Sequence, residues 1–316
     1  MKYLYFAQCI PKEPEKSAFG LGQSPYNRRS QMGAYCTNTH PFAKPAVVDS
    51  RELSLKPKNR FFRFFGYITW VILFFFSSLS AEIIEIKKIE QCNKHIQPDM
   101  LLVFDIDNTL METAQTLGSD QWFSYRIEEN IKRGMLKREA AMVALAEWVS
   151  IQNKTKVKLV EPVTAAFVEK LQKNGWKVVG LTSRGLELAA KTIEQLKSIG
   201  IDFTKAAPAS REIIFDDDRF YRDGILFCSG TNKGSLLFQF FNQVGCQPKK
   251  ILFVDDKEKY LREVEKDCLQ HQIPFLGIRY GFLDEKIKNF KPQVANEEWK
   301  CFGNLIGDDE AELHLK

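Results

Sequence analysis

Leu101-Leu102-Val103-Phe104 runs straight into Asp105-Ile106-Asp107-Asn108-Thr109, and the junction of that apolar run with two acids decides how the chain is read. An unbroken apolar run describes a strand buried on both faces; a half-solvated strand would alternate. The same pattern returns twice. Val178-Val179-Gly180-Leu181 leads into Thr182-Ser183, and Ile251-Leu252-Phe253-Val254 leads into Asp255-Asp256. Helical patterns over 163–174, 186–199 and 233–241 separate these runs. Buried strands joined by helices make a parallel sheet covered on both faces, and such sheets bind ligands at the carboxyl ends of their strands. The expected fold is α/β, a doubly wound parallel sheet with four carboxylates and a hydroxyl at one end.

The order Asp-x-Asp-x-Thr, then Thr182, then Lys233, then Asp255-Asp256 resembles the haloacid dehalogenase (HAD) superfamily. The resemblance covers roughly Met100 to Tyr280. The tract Phe104 to Leu110, followed by Leu117-Gly118-Ser119-Asp120-Gln121-Trp122-Phe123, is also similar to a narrower group of exported HAD-like proteins known as a domain of unknown function. The implied fold is a Rossmann-like core. The 74 residues between Asp107 and Thr182 exceed what one crossover needs. They carry helical patterns over 121–131 and 136–151, so a small helical cap over about 111–160 is expected after the first core strand.

The resemblance implies an Mg²⁺-dependent phosphatase. A phosphoester repels nucleophiles, so an enzyme must neutralise it and hold the attack in line. Asp105 is the expected nucleophile, forming an aspartyl-phosphate, and Asp107 the general acid and base. Residues i and i+2 on a strand point the same way, so both face its mouth. Thr182, Ser183 and Lys233 are the expected phosphate contacts. Asp105, Asp107 (through its carbonyl), Asp255 and Asp256 are the expected oxygen ligands of Mg²⁺, the distal pair acting singly or together. Trp122 and Arg184 are candidate substrate contacts, although Trp122 suits the core of the cap better and Arg184 reads equally as a solvated charge. Each motif alone has an ordinary structural use, as helix cap, turn or surface charge; their convergence carries the reading. Two rivals share the scaffold: a catalytically silent binding module, and a phosphotransferase using the same intermediate.

Charge is unevenly placed. Residues 1–63 hold 11 Lys/Arg against 4 Asp/Glu, and the remainder 34 against 36. The near-neutral folded part argues against nucleic-acid binding, and a small phosphorylated substrate is the expected partner. Lys56, Lys58, Arg60 and Arg63 precede Phe64 to Ala81, eighteen residues without a charge, ending in Ser77-Ser78-Leu79-Ser80-Ala81. A basic flank, an apolar stretch and small residues at its end describe a signal peptide; the length also suffices for an uncleaved anchor. Residues 56–81 are therefore read as signal or inner-membrane anchor, the only membrane contact, and the product as exported, periplasmic or secreted. Residues 1–55, aperiodic and polar, are read as a disordered extension, and 82–316 as the HAD-like domain. The seven cysteines show no zinc-ligand spacing and no CxxC pair, and are read as core or incidental thiols.

Overall fold

The computed structural model describes residues 81–316; the readings of residues 1–55 and of the apolar segment up to Ser80 lie outside the described residues. In chain order the elements are β1 (Ala81–Ile86), β2 (Met100–Phe104), β3 (Met111–Thr113), α1 (Asp120–Lys132), α2 (Lys137–Gln152), β4 (Val157–Leu159), α3 (Thr164–Lys173), β5 (Lys177–Thr182) and α4 (Ala189–Ser198). There follow β6 (Ile213–Ile214), β7 (Phe220–Arg222), β8 (Ile225–Phe227), α5 (Lys233–Val244), β9 (Lys250–Asp255), α6 (Glu258–Gln270), β10 (Phe275–Tyr280), α7 (Asp284–Lys288), α8 (Pro292–Lys300) and α9 (Asp308–His314).

The central sheet has eight strands in the order β1-β10-β9-β2-β5-β8-β7-β6. From β1 to β8 every neighbour is parallel; β7 and β6 close the far edge antiparallel. The unbroken apolar runs have the cause expected of them, since alternate residues enter two separate cores. Leu102 and Phe104 pack with Phe167, Val168 and Leu171 of α3 and with Leu196 of α4. Leu101 and Val103 pack with Leu236, Leu237 and Phe240 of α5 and with Leu261 and Val264 of α6. Phe104 has no exposed surface and meets the Phe167 ring edge-on at 6.3 Å. Truncating such a side chain to alanine costs about 3–5 kcal/mol. The fold is thus mixed α/β with a mostly parallel sheet and helices on both faces.

Two local features differ from the sequence reading. A single hairpin is expected from 213–215 and 224–227, yet Ile213–Ile214 pairs with Phe220–Arg222, and residues 225–227 form a third strand that joins β5. The reason is Asp223-Gly224, both at positive φ (51° and 82°), the backbone of a two-residue hairpin turn. A side chain at Gly224 would also strike the Phe203 backbone at under 3 Å. The second feature lies between β2 and β5, where β3 and β4 form an antiparallel ribbon at the base of α1 and α2.

The helices α1 and α2 lie against each other through a bidentate pair, Arg126 Nε and Nη2 donating to Glu147 at 2.8 Å each. Ser119 caps α1, its Oγ accepting from Trp122 N. Trp148 and Gln152 of α2 both donate to the Gly118 carbonyl, at 2.8 and 2.7 Å. The last residues are helical, and α8 lays Trp299 flat on Trp122 of α1 with centroids 5.3 Å apart.

Candidate active site

Asp105 follows the last residue of β2, its N–H donating to the Val254 carbonyl on β9 at 2.9 Å. β9 ends at Asp255 and Asp256 follows it, so adjacent strands deliver three carboxylates to one point. Oxygens of Asp105, Asp255 and Asp256 lie within 4.8 Å of one another, and all three side chains are buried. The Lys233 ammonium, with no exposed surface, donates to Asp105 Oδ1 at 2.6 Å and to Asp255 Oδ2 at 2.8 Å.

Lys233 reaches this position because of its neighbours in sequence. Asn232 caps α5 by accepting from Ser235 N at 2.8 Å, which places Lys233 on the first turn. Gly234 lets α5 close on α6: a Cβ there would meet the Asp267 carboxylate at 2.2 Å and the Glu263 carbonyl at 2.7 Å. The lysine stem then crosses the Tyr260 ring, its Nζ 4.2 Å from the centroid.

The electrostatics follow from three acids facing one ammonium out of water. Burial pushes the Asp105 carboxyl up to about 7, against the pull of Lys233. Asp255 is raised by burial too, and Asp256 well above the usual carboxylate range, by burial and then by Asp255 and Asp105. For Lys233, burial opposes the charge, but Asp105 and Asp255 outweigh it and raise the ammonium above its ordinary value. The two distal acids differ in their bonding. Asp255 has both oxygens engaged, Oδ2 by Lys233 and Oδ1 by the Lys257 N–H at 2.8 Å. Asp256 makes one long bond, from the Asn108 amide at 3.4 Å, and faces the cavity. An unbalanced cluster of hard carboxylate oxygens with one acid unpaired fits a divalent cation such as Mg²⁺.

Asp107 stands apart from this cluster. It lines the same cavity as Asp105, as the alternation of residues i and i+2 predicts, but its carboxylate is turned to a different partner. Its carboxylate accepts two bonds from Arg184, Nε at 2.8 Å and Nη2 at 2.7 Å. Its side chain is therefore absent from the acid cluster, contrary to any ligand role for the carboxylate; only its carbonyl remains for that purpose. Arg184 is itself buried. Its Nη1 donates to Gln195 Oε1 and Thr192 Oγ1, its Nη2 to Gln152 Oε1, and it lies 5.2 Å from the Trp148 centroid. The guanidinium expected to meet substrate is thus committed to Asp107 and to the helix α2.

Thr182 ends β5, buried, its Oγ1 accepting from the Arg184 N–H at 3.2 Å and keeping its own proton to donate. Ser183 Oγ has no hydrogen-bond partner and its residue lines the cavity over Asp105. Thr109 Oγ1 lies 3.5 Å from Asp105 Oδ2. Trp122, expected as a substrate contact, is fully buried between α1 and Trp299 and does not line the cavity. Its neighbour Phe123 does, with Trp148 and Tyr260. Sequence patterning missed these because aromatic residues in helices signal core and cavity wall alike. A helical span over 121–131 with Trp122 turned inward would, however, have put Phe123 on the next face.

A family described as "Protein of unknown function (DUF2608)" matches residues 82–312. A Chlamydia trachomatis protein carrying the name "Putative outer membrane protein" is 28% identical over 240 residues, 75% of this chain and 91% of its own length. One of the same name from Chlamydia muridarum is 27% identical, over 76% and 92%. Among solved structures, a haloacid dehalogenase-like hydrolase from Streptococcus pneumoniae aligns over 57% of this chain and 95% of its own, at 13% identity and a TM-score of 0.38.

Proposed function

The chain belongs to the DUF2608 family, and from that premise we propose that it is an Mg²⁺-dependent phosphomonoester hydrolase acting through an aspartyl-phosphate. The observation that carries the reading is the buried Lys233 ammonium between Asp105 and Asp255, beside an unpaired Asp256. A salt bridge serving only stability would not bury a surplus of carboxylates around one cation, because uncompensated buried charge costs several kcal/mol.

Asp105 attacks phosphorus through the oxygen that Lys233 does not hold, forming the Asp105–P bond as the ester P–O bond breaks. Lys233 fixes the carboxylate for in-line approach, and Thr182 and Ser183 donate to the phosphoryl oxygens. Asp107, with one oxygen freed from Arg184 and carrying a proton, gives that proton to the departing oxygen. It then takes one from the water that attacks the aspartyl-phosphate, so phosphate leaves and Asp105 is restored. Arg184 holds the Asp107 carboxylate in place between the two steps. Asp105 and Asp256 are the side chains that would hold Mg²⁺, while Asp255 positions Lys233. When bound, the ion supplies charge neutralisation at the phosphoryl oxygens. The elements of residues 111–160 act as a cap over this mouth.

Export of the product accords with the names of the chlamydial relatives and with the basic-apolar segment ending at Ala81. No helix among the described residues is long and apolar enough to cross a membrane.

The test is release of phosphate from p-nitrophenyl phosphate by the full chain with Mg²⁺. Asp105→Asn lowers kcat by roughly 10³-fold or more, as loss of a nucleophile does, and chelation of the metal abolishes turnover. Equal rates for the wild type and Asp105→Asn overturn the proposal in favour of a silent binding module.

A further inference from the structure

The cavity over Asp105 has a polar floor, an apolar wall and a rim whose cations are already taken. Its volume of about 250 Å³ falls below the roughly 300–1,000 Å³ of pockets for drug-sized ligands, so it admits a phosphoryl group and little beyond one ring. Phe123, Leu145 and Trp148 from the helices α1 and α2, with Tyr260 from α6, supply the wall. Phe123 and Trp148 have their centroids 5.7 Å apart, so they present adjoining ring surfaces.

The charges decide what else can enter. Of the lining residues, two are cationic, Arg184 and Lys257. Arg184 is bound bidentately to Asp107. Lys257 donates to Asp120 Oδ2 at 2.5 Å, tying the first turn of α1 to the loop after β9. Lys233 is consumed by Asp105 and Asp255. Among the described lining residues no cation is left for a second anionic group, while Asp120 and Glu187 oppose one.

Resting on the hydrolase reading above, we infer that the site takes phosphate monoesters of compact, uncharged, planar apolar alcohols or phenols, with no second anionic group on the substrate. Bisphosphates, nucleoside polyphosphates and phosphorylated carboxylic acids are turned away because each would place a charge beside Asp120 or Glu187 with nothing to receive it. The aromatic wall contributes affinity by burying one ring face, and the closed Asp120–Lys257 pair supplies the rejection.

The experiment has a binding arm and a turnover arm on the full chain with Mg²⁺. Calorimetry compares benzylphosphonate with phosphonoacetate, which cannot be hydrolysed; the first binds at least roughly tenfold tighter, as burial of a ring predicts. Asp120→Asn, which frees Lys257, tightens phosphonoacetate by roughly tenfold and leaves benzylphosphonate within about twofold. Turnover of benzyl phosphate, glycerol 1-phosphate and glycerate 3-phosphate, all esters of unactivated alcohols, falls in that order of kcat/KM. Phosphonoacetate binding as tightly as benzylphosphonate, or neither binding, overturns the inference. Preferred binding of benzylphosphonate with no turnover of any ester upholds the ligand class and overturns hydrolysis alone.

Discussion

Two groups of carboxyls withdrawn wholly or partly from water occupy this molecule, and they are balanced by different means. At the carboxyl end of the sheet, Asp105, Asp255 and Asp256 surround the Lys233 ammonium. Beside the turn that precedes α1, Glu298 of α8 faces Asp308 at the start of α9 with no salt-bridge partner for either side chain among the described residues. Glu298 Oε2 accepts the Leu117 N–H and Asp308 Oδ1 the Thr116 N–H, both at 2.6 Å. Glu298 Oε1 has no donor of its own, so the two carboxyls bond only if one is protonated. Burial, then Asp308, pushes Glu298 up to about 8, while Asp308, held by Glu298 and by Thr116, stays below its ordinary range. The first cluster is balanced by a buried lysine and leaves one acid unpaired. The second joins α8 and α9 to the turn at 116–117 and has burial working against its charge.

The comparison breaks most visibly at Lys233. Lys233→Met strands two buried carboxylates and is expected to destabilise the chain by about 3–5 kcal/mol, read by urea denaturation in metal-free buffer, with Mg²⁺ recovering part of the loss. An unchanged midpoint would mean the cluster carries no net charge. Asp256→Asn works in the opposite sense. Removing the unpaired acid leaves the metal-free chain as stable or more so, and abolishes the rise in Tm that Mg²⁺ gives the wild type.

The carboxyl pair is sharpened by pH. Unfolded Glu298 titrates near 4.5 and the folded residue at about 8, so between these values the folded chain keeps a proton that the unfolded chain has lost. Stability therefore falls as pH rises through that window and levels off above it. Asp308, shifted downward, contributes only below its ordinary value of 3.8 and leaves the window untouched. Glu298→Gln, whose amide donates to Asp308 at any pH, is expected to flatten the slope and to stabilise the chain by about 1–3 kcal/mol at pH 9. A wild-type stability that is flat from pH 5 to 9 would show the pair is not sharing a proton. The smallest effect belongs to Lys249–Asp99, at 2.8 Å but with both side chains well exposed. Lys249→Ala leaves Tm unmoved within error, because water screens what burial would amplify.

Much of the sheet end was legible in the sequence because strand, turn and functional side chain are contiguous there. Leu101–Asp105 and Ile251–Asp256 each state a buried strand and the acid it delivers within six residues. Lys233 was legible only as the third member of an ordered set, and Gly234 beside it is needed for a contact with α6 that no local pattern records. Arg184 illustrates what was not legible. Its partners Asp107, Gln152, Thr192 and Gln195 come from three segments, the turn after β2 and the helices α2 and α4, so its commitment depends on tertiary placement alone. The period-2 rule put Asp105 and Asp107 on one cavity, as it should, but could not show that Arg184 holds Asp107 away from the other acids. Trp122 and Phe123 exchanged roles because a helix turns adjacent residues by about 100°, which hydropathy alone does not orient. Glu298 and Asp308 carried no signal, since acids in exposed helices are ordinary.

β1 has a consequence for orientation. Ala81 pairs with Phe275 and Ile86 with Tyr280, parallel to the strands that deliver the acids. Whatever precedes Ala81 therefore departs from the sheet's opposite rim, about 20 Å from the mouth for a six-residue strand. Cleavage after Ala81 would take the first residue of β1 with it and leave Glu82 to Ile86 to hold the edge against β10.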